Sequence, residues 1–117
     1  MQSATLTSGG WHERFTYTKM VPFDLGDSVF QVVRFKPGDG IGYHFHRQTV
    51  EVYMVTDGTG TLFIDGEDHA MRHGSMFLIE PLDAHAIVAG ENGIDIAIFK
   101  PCEYPDDIFW GRYGEAS

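Results

Sequence analysis

Two histidines and a glutamate are the residues of this chain whose types and spacing favour metal chemistry. His44 and His46 are two positions apart, and residues i and i+2 of a β-strand project from the same face, so both imidazoles can converge on one point. Glu51 is the first inward candidate of the next predicted strand, at residues 50–56, and a turn between the segments would bring its carboxylate against the pair. Two imidazoles and a carboxylate are a donor set for a first-row transition metal. The histidine pair by itself is weak evidence, since a solvated or hydrogen-bonded pair has the same pattern.

Short strands joined by turns must position these side chains. Alternating or β-branched segments predict strands at residues 14–20, 29–36, 50–56, 61–64, 69–71, 75–79, 85–88 and 94–100. Glycine-rich or Asp-Gly turns are predicted at residues 37–42, 57–60, 65–66 and 90–93. The best helical candidate is a short turn near residues 106–110. Strands this short leave no room for crossover helices, so the pattern predicts an all-β, mostly antiparallel sandwich or barrel.

Composition narrows the class of protein further. A chain of 117 residues predicts a single domain over residues 1–117 with one core. We interpret residues 1–13 as a polar lead-in and residues 101–117 as a C-terminal closure. The single cysteine, Cys102, excludes an intrachain disulfide and a thiolate zinc site. A net charge of −9 argues against nucleic acid and anionic membranes as partners.

The expected compartment is the cytoplasm. The first residues contain no basic and apolar leader pattern, and no apolar run approaches the length of a membrane helix. A lone thiol also suits a reducing environment.

The segment around the histidine pair resembles the first motif of the cupin superfamily. That motif is Gly, five residues, His, one, His, four, Glu, six, Gly, and it is matched at Gly38, His44, His46, Glu51 and Gly58. The second motif is matched at Gly74 and His85, 11 residues apart. The chain departs from it where the motif has Pro, Gly and Asn, at Glu80, Leu82 and Ala89, with the proline one position later at Pro81. The resemblance covers about residues 29–100.

The resemblance implies a small double-stranded β-helix, or jelly-roll barrel, that holds one divalent transition metal. The implied ligands are His44, His46, Glu51 and His85. Three imidazoles and one carboxylate leave up to two octahedral positions for water or substrate, as in catalytic metal sites. Iron, manganese, nickel, copper and zinc all suit such ligands. The resemblance also implies a homodimer.

The resulting hypothesis is a metal-dependent enzyme acting on a small molecule, with a dioxygenase-like oxidoreductase preferred. The alternatives are a metal-dependent isomerase, lyase or cyclase, and a non-catalytic cupin that binds a metal and a small, sugar-like ligand. Glu51 is a candidate base if it leaves the metal. Tyr53, in phase with Glu51, either meets a metal-bound ligand or packs in the core. The inward face of residues 29–36 stays open, with Gln31 or Arg34 lining the pocket.

Overall fold

The computed structural model describes residues 1–114, and all regular structure in that range is β-strand. The strands are β1 (Trp11–Arg14), β2 (Tyr17–Met20), β3 (Val29–Phe35), β4 (Gly40–Phe45), β5 (Glu51–Ile64), β6 (Glu67–Met71), β7 (Met76–Ile79), β8 (His85–Lys100) and β9 (Phe109–Trp110). Residues 115–117 of the predicted C-terminal closure lie outside the described residues. Over residues 1–114 there is no helix long and apolar enough to cross a membrane.

Two long strands, β5 and β8, each contribute to both sheets of a curled antiparallel barrel. The second half of β8 pairs with β3 and with the first half of β5, which in turn pairs with β7. The first half of β8 pairs with β4 and with the second half of β5, which pairs with β6. This arrangement confirms the predicted all-β jelly-roll fold.

The chain reversals predicted at residues 57–60 and 90–93 are wrong, because both segments lie inside the long strands. The pairing of β5 with β8 shifts register between Val55 and Asp57 and again between Gly58 and Gly60. Gly58 and Gly93 have φ of +76° and +75°, and a Cβ on Gly58 would collide with the carbonyl oxygen of Gly93. The glycines therefore form irregularities that bend two closely packed strands from one sheet into the other.

The N-terminal segment is a hairpin, where the sequence predicted one strand at residues 14–20 and a lead-in before it. Strands β1 and β2 pair in antiparallel register, with Trp11 opposite Met20. The turn between them contains Phe15 at a φ of +48°. Since phenylalanine carries no preference for that conformation, the turn leaves no signal in the sequence.

The helical turn predicted near residues 106–110 is also wrong. The last two residues of the segment form β9, which pairs with β4, with Phe109 opposite Phe45. Their rings stack with centroids 5.5 Å apart. This contact brings the C-terminal segment against the strand that carries the histidine pair.

The core lies between the sheets, and strand β3 presents Gln31, Val33 and Phe35 to it. Arg34 points the other way and binds Asp95 through two hydrogen bonds of 2.8 and 2.9 Å. The structure thus selects the Gln31 face as the inward one. The other buried apolar side chains of the core include Ile41, Val55, Leu62, Met71, Ile79, Ile87, Ile94, Ile96 and Ile98.

The opposite side of strands β5, β7 and β8 is apolar and exposed. Val52 lies in register with both Leu78 and Phe99, and Met54 lies in register with Met76. These five side chains are between 39% and 70% exposed, and we call them the outer apolar face. A contiguous apolar surface of this kind is typical of a protein interface.

Candidate metal centre

The fold brings three histidines together on the inner face of the barrel. His44 on β4 lies directly opposite His85 on β8, and their ring centroids are 4.2 Å apart. His46 directly follows β4, with its ring centroid 5.5 Å from that of His44 and 5.4 Å from that of His85. All three side chains are buried, and one ligand atom from each lies within 4.8 Å of the others.

Backbone carbonyl groups fix the orientation of all three rings. The Nδ1 atoms of His44, His46 and His85 lie 2.9, 2.6 and 2.8 Å from the carbonyl oxygens of Gly42, Asp107 and Asp83, respectively. A carbonyl only accepts hydrogen bonds, so each Nδ1 must donate, and Nε2 of the neutral ring keeps its lone pair. Each ring is therefore held as the tautomer that offers Nε2 to the interior.

Glu51, the first residue of β5, adds a carboxylate to the cluster. It is 4% exposed, and its Oε1 lies 3.0 Å from Nε2 of His46 and 3.5 Å from Nε2 of His85. The carboxylate thus faces two of the three imidazoles. The Tyr53 hydroxyl, two residues along the same inner face, donates a 3.4 Å hydrogen bond to the same oxygen.

The protonation states follow from burial and from these contacts. Burial alone would raise the pKa of Glu51, but its close contacts with the His46 and His85 rings outweigh burial and hold that pKa well below its ordinary value. Burial, with the neighbouring His85, lowers the pKa of His44 to about 4. Burial acts to lower the pKa of His46 too, yet its contact with Glu51 raises it overall. Burial and the Glu51 charge raise the pKa of Tyr53, which keeps its hydroxyl a donor.

The cluster is chemically suited to a cation. Within residues 1–114, Nε2 of His46 and Nε2 of His85 are buried without a hydrogen-bond partner. In the neutral rings these atoms are lone pairs facing an ionised carboxylate, and two acceptors in contact repel unless a proton or a metal ion lies between them. Nitrogen and oxygen donors without a thiolate suit iron, manganese, nickel, copper or zinc. The three histidines could therefore hold a metal ion, with Glu51 placed to join them.

A small cavity opens beside the cluster. It has a volume of about 60 Å³ and is lined by apolar side chains of the core and by polar ones, namely Tyr17, Gln31, His44, His46, Glu51, Tyr53 and Lys100. A more polar recess of about 150 Å³ lies at the barrel mouth. Both spaces are lined by Tyr17, Gln31, His46 and Lys100, so the donor set is reached from the mouth.

Asp107 is a residue of the site that the sequence did not reveal, because nothing in its local pattern distinguishes it from the neighbouring Asp106. Its carboxylate accepts hydrogen bonds of 2.8 to 2.9 Å from the backbone N–H groups of residues 47–49 and from the Thr49 hydroxyl. Its carbonyl holds the His46 ring. Asp107 therefore ties the loop between His46 and Glu51 to the C-terminal segment.

The altered second motif keeps the turn that precedes His85. Leu82, where the motif has glycine, adopts a φ of +73°. Its backbone N–H donates a 2.7 Å hydrogen bond to the carbonyl of His46. Leucine thus takes up the left-handed conformation usually left to glycine, and His85 remains beside His44.

Comparison with known proteins establishes the class. Residues 31–98, more than half of the chain, match the family described as Cupin domain, so the chain belongs to the cupin family. It is similar to dimethylsulfoniopropionate lyase DddW of Ruegeria pomeroyi, with 31% identity over 87 residues, 74% of this chain and 55% of that protein. The chain thus spans about half the length of this relative.

Two solved structures illustrate the shared fold. KdgF from Halomonas sp. superimposes with a TM-score of 0.74 at 20% identity, covering 85% of this chain and 94% of that one. A salicylate 1,2-dioxygenase from Pseudaminobacter salicylatoxidans superimposes with a TM-score of 0.65 at 16% identity, covering 73% of this chain and 26% of that one. At these identities the likeness concerns the fold alone.

Proposed function

We propose that this chain is a metal-dependent enzyme acting on a small molecule inside the barrel. The proposed metal ligands are His44, His46, Glu51 and His85. The observation that carries the proposal is the set of three imidazoles, each held by a backbone carbonyl at Nδ1, whose free Nε2 atoms converge with an ionised carboxylate in one buried cluster.

The tethers at Nδ1 prepare the rings for binding. A hydrogen bond from Nδ1 to a carbonyl fixes the ring and makes Nε2 a better donor, and its loss in metal proteins typically costs 10- to 100-fold in affinity. The low pKa of Glu51 keeps this carboxylate ionised, and therefore available to a metal ion, and makes it a weak base. We therefore assign Glu51 a ligand role in preference to the base suggested by the sequence.

Tyr53 acts as a positioning residue in this proposal. Its hydroxyl donates to Glu51, and its raised pKa opposes loss of that proton near neutral pH. The apolar walls contributed by Val33, Phe35 and Ile98 limit the water beside the donor set. A metal ion bound here would act as a Lewis acid on a substrate oxygen, with coordination positions left for substrate.

We favour a non-oxidative, lyase-type reaction over the dioxygenase-like reaction preferred from sequence. The relative at 31% identity is a lyase, whereas the dioxygenase shares only the fold at 16% identity. Dioxygenase chemistry remains the second candidate because the nitrogen and oxygen donors also suit iron. A non-catalytic cupin that binds a small ligand is the third.

One assay separates these candidates. Protein loaded in turn with Fe²⁺, Mn²⁺, Ni²⁺ or Zn²⁺ is incubated with a panel of small molecules that includes dimethylsulfoniopropionate, while product and dissolved oxygen are followed together. We expect turnover without oxygen uptake, and a Glu51→Gln variant that loses both metal and turnover. Oxygen uptake matching product would favour the dioxygenase. Metal binding without turnover across the panel would contradict the enzyme proposal.

A Glu51→Gln variant also tests the role of that residue. If it kept full metal occupancy and lost only turnover, Glu51 would act as a base and the ligand role would be wrong. Full turnover at full occupancy would exclude both roles.

A further inference from the structure

Positive charge gathers at the mouth of an otherwise acidic protein. The chain has a net charge of −9 and three lysines, Lys19, Lys36 and Lys100. Two of these lysines line the 150 Å³ recess outside the metal cluster, and Arg14 joins them at its rim. Glu103, Asp106 and Asp107 also line the recess, so the charge left for a ligand depends on how these carboxylates are engaged.

The strands explain how Lys19 and Lys100 reach this place. Lys19 on β2 is in register with Val33, whose side chain faces the barrel interior. Lys100 lies two residues after Ile98, another inward residue, at the end of β8. Cross-strand partners and i, i+2 neighbours share a face, so both lysines extend the inner face out to the mouth.

The acidic residues of the recess leave much of this positive charge free to bind. Oε2 of Glu103 is 3.9 Å from Nζ of Lys100, beyond hydrogen-bond length, and the Glu103 side chain is 50% exposed. The Asp107 carboxylate already accepts four hydrogen bonds, and Asp106 is exposed. Burial, followed by the charges of Lys100 and Arg14, lowers the pKa of Lys19. An anion between the lysines would relieve this repulsion.

Gln31 supplies a second, independent indication of a ligand. Its side chain is 4% exposed, and within residues 1–114 its Oε1 has no hydrogen-bond partner. Gln31 lines both the cavity and the recess. An unpartnered buried amide oxygen at that junction is costly unless a ligand donates a hydrogen bond to it.

We propose that the substrate of the metal site carries a carboxylate, which Lys19 and Lys100 bind at the barrel mouth while Gln31 accepts a hydrogen bond from the part of the substrate inside. This inference deepens the proposed function and rests on it. The cavity beside the donor set is small, about 60 Å³, so only the reacting end of the substrate lies inside it. The substrate is thus a short organic acid, with its reacting end inside and its carboxylate at the mouth. The two lysines, partly offset by Glu103, match a single negative charge better than a phosphate dianion.

The test is an NMR titration of the metal-free protein at pH 7 with three probes: butyrate, its neutral analogue butyramide, and methyl phosphate. Butyrate is expected to shift amide signals around the recess and to bind at least about tenfold more tightly than butyramide, because hydrogen bonds to charged groups are worth about 1.5–3 kcal/mol. Equal binding of butyrate and butyramide would overturn the inference. Tighter binding of methyl phosphate than of butyrate would overturn the choice of a carboxylate.

Variants that remove or keep a single lysine charge locate the binding site. Lys19→Gln and Lys100→Gln should each weaken butyrate binding about tenfold, and Lys100→Arg should restore most of it. Lys36→Gln is the control, because Lys36 follows the far end of β3, seven residues or roughly 23 Å from the Val29 partner of Lys100. An equal loss in the control would contradict the inference. The same spectra report whether each variant is folded.

The titration is independent of the metal proposal. A protein that bound butyrate as expected but retained no metal would refute the proposed function and leave the anion site. A protein that bound metal but did not distinguish butyrate from butyramide would refute the carboxylate site and leave the proposed metal centre.

Discussion

Asp107→Asn is the substitution that best separates the support of the metal site from the ligands themselves. Asp107 contacts the chain at residues 47–49, and its carbonyl holds His46. Asparagine has nearly the same shape but lacks the negative charge, and its NH₂ group cannot accept a hydrogen bond. The substitution therefore weakens the tie between the C-terminal segment and the loop while leaving every proposed ligand in place.

The expected loss of stability follows from four hydrogen bonds. Hydrogen bonds to a charged group contribute about 1.5–3 kcal/mol each and neutral ones about 0.5–1.5, so replacing four charged bonds costs up to about 4–6 kcal/mol. Asp107 is partly exposed, and solvent competition reduces this to about 2 kcal/mol. We expect metal affinity to fall about tenfold as the His46 ring loosens.

The assay is urea denaturation of the metal-free protein together with a metal titration. Asp106→Asn, one position earlier, is the control: it removes the same charge from an exposed side chain, and asparagine tolerates the φ of +58° found there. Hydrogen bonds from residues 47–49 hold the pKa of Asp107 below its ordinary value despite some burial. The Asp107 carboxylate should therefore stabilise the folded protein above about pH 4, and this contribution should be lost as the pH falls through that lowered pKa. If both variants lost the same stability and metal affinity, the role assigned to Asp107 would be wrong.

Three further predictions test the fold, the protonation of the site and the assembly. Gly40→Ala should destabilise the protein by about 3 kcal/mol in urea denaturation, because the added Cβ would collide with a carbonyl oxygen of β8. Gly42→Ala, whose Cβ would meet open space, should leave the stability nearly unchanged. Equal effects of the two substitutions would contradict the packing of β4 on β8. Contact with Glu51 raises the pKa of His46 against the effect of burial, so metal binding at pH 6 should release about one proton and should tighten as the pH rises through that pKa. Calorimetry in buffers of different ionisation enthalpy measures the number of protons released. No proton release at pH 6 would refute the prediction. The outer apolar face should pair two chains into a homodimer. Light scattering should show a dimer for the wild type and a monomer for Leu78→Lys. A wild-type monomer at micromolar concentration would exclude the homodimer.

Local spacing made the histidines predictable. His44 and His46 share a strand face because of the two-residue period. His85 was expected only from the resemblance to the second cupin motif, and the structure places it on the strand opposite His44. Both relations lie within a few tens of residues along the chain, so a sequence motif can capture them. The all-β fold was predictable for the same reason, because short alternating segments ended by glycine permit little else.

Long-range contacts and ambiguous glycines account for what the sequence missed. Asp107 reaches Thr49 across 58 residues, and nothing in the local pattern distinguishes it from Asp106. Gly58 and Gly93 adopt the positive φ that a turn would also use, so the sequence cannot separate a bend within a strand from a reversal. The inward face of β3 was open because Gln31 and Arg34 are both polar, and only the ion pair with Asp95 decides it.

Metal content is the measurement that tests the central claim most directly. Protein purified without added metal would be analysed by inductively coupled plasma mass spectrometry, alongside a His44→Ala, His46→Ala double variant. A His12→Ala, His73→Ala double variant, at two exposed positions, is the matched control. We predict up to one transition-metal ion per chain in the wild type and in the control, and none in the first variant. Metal retained at the wild-type level after loss of His44 and His46 would contradict the account.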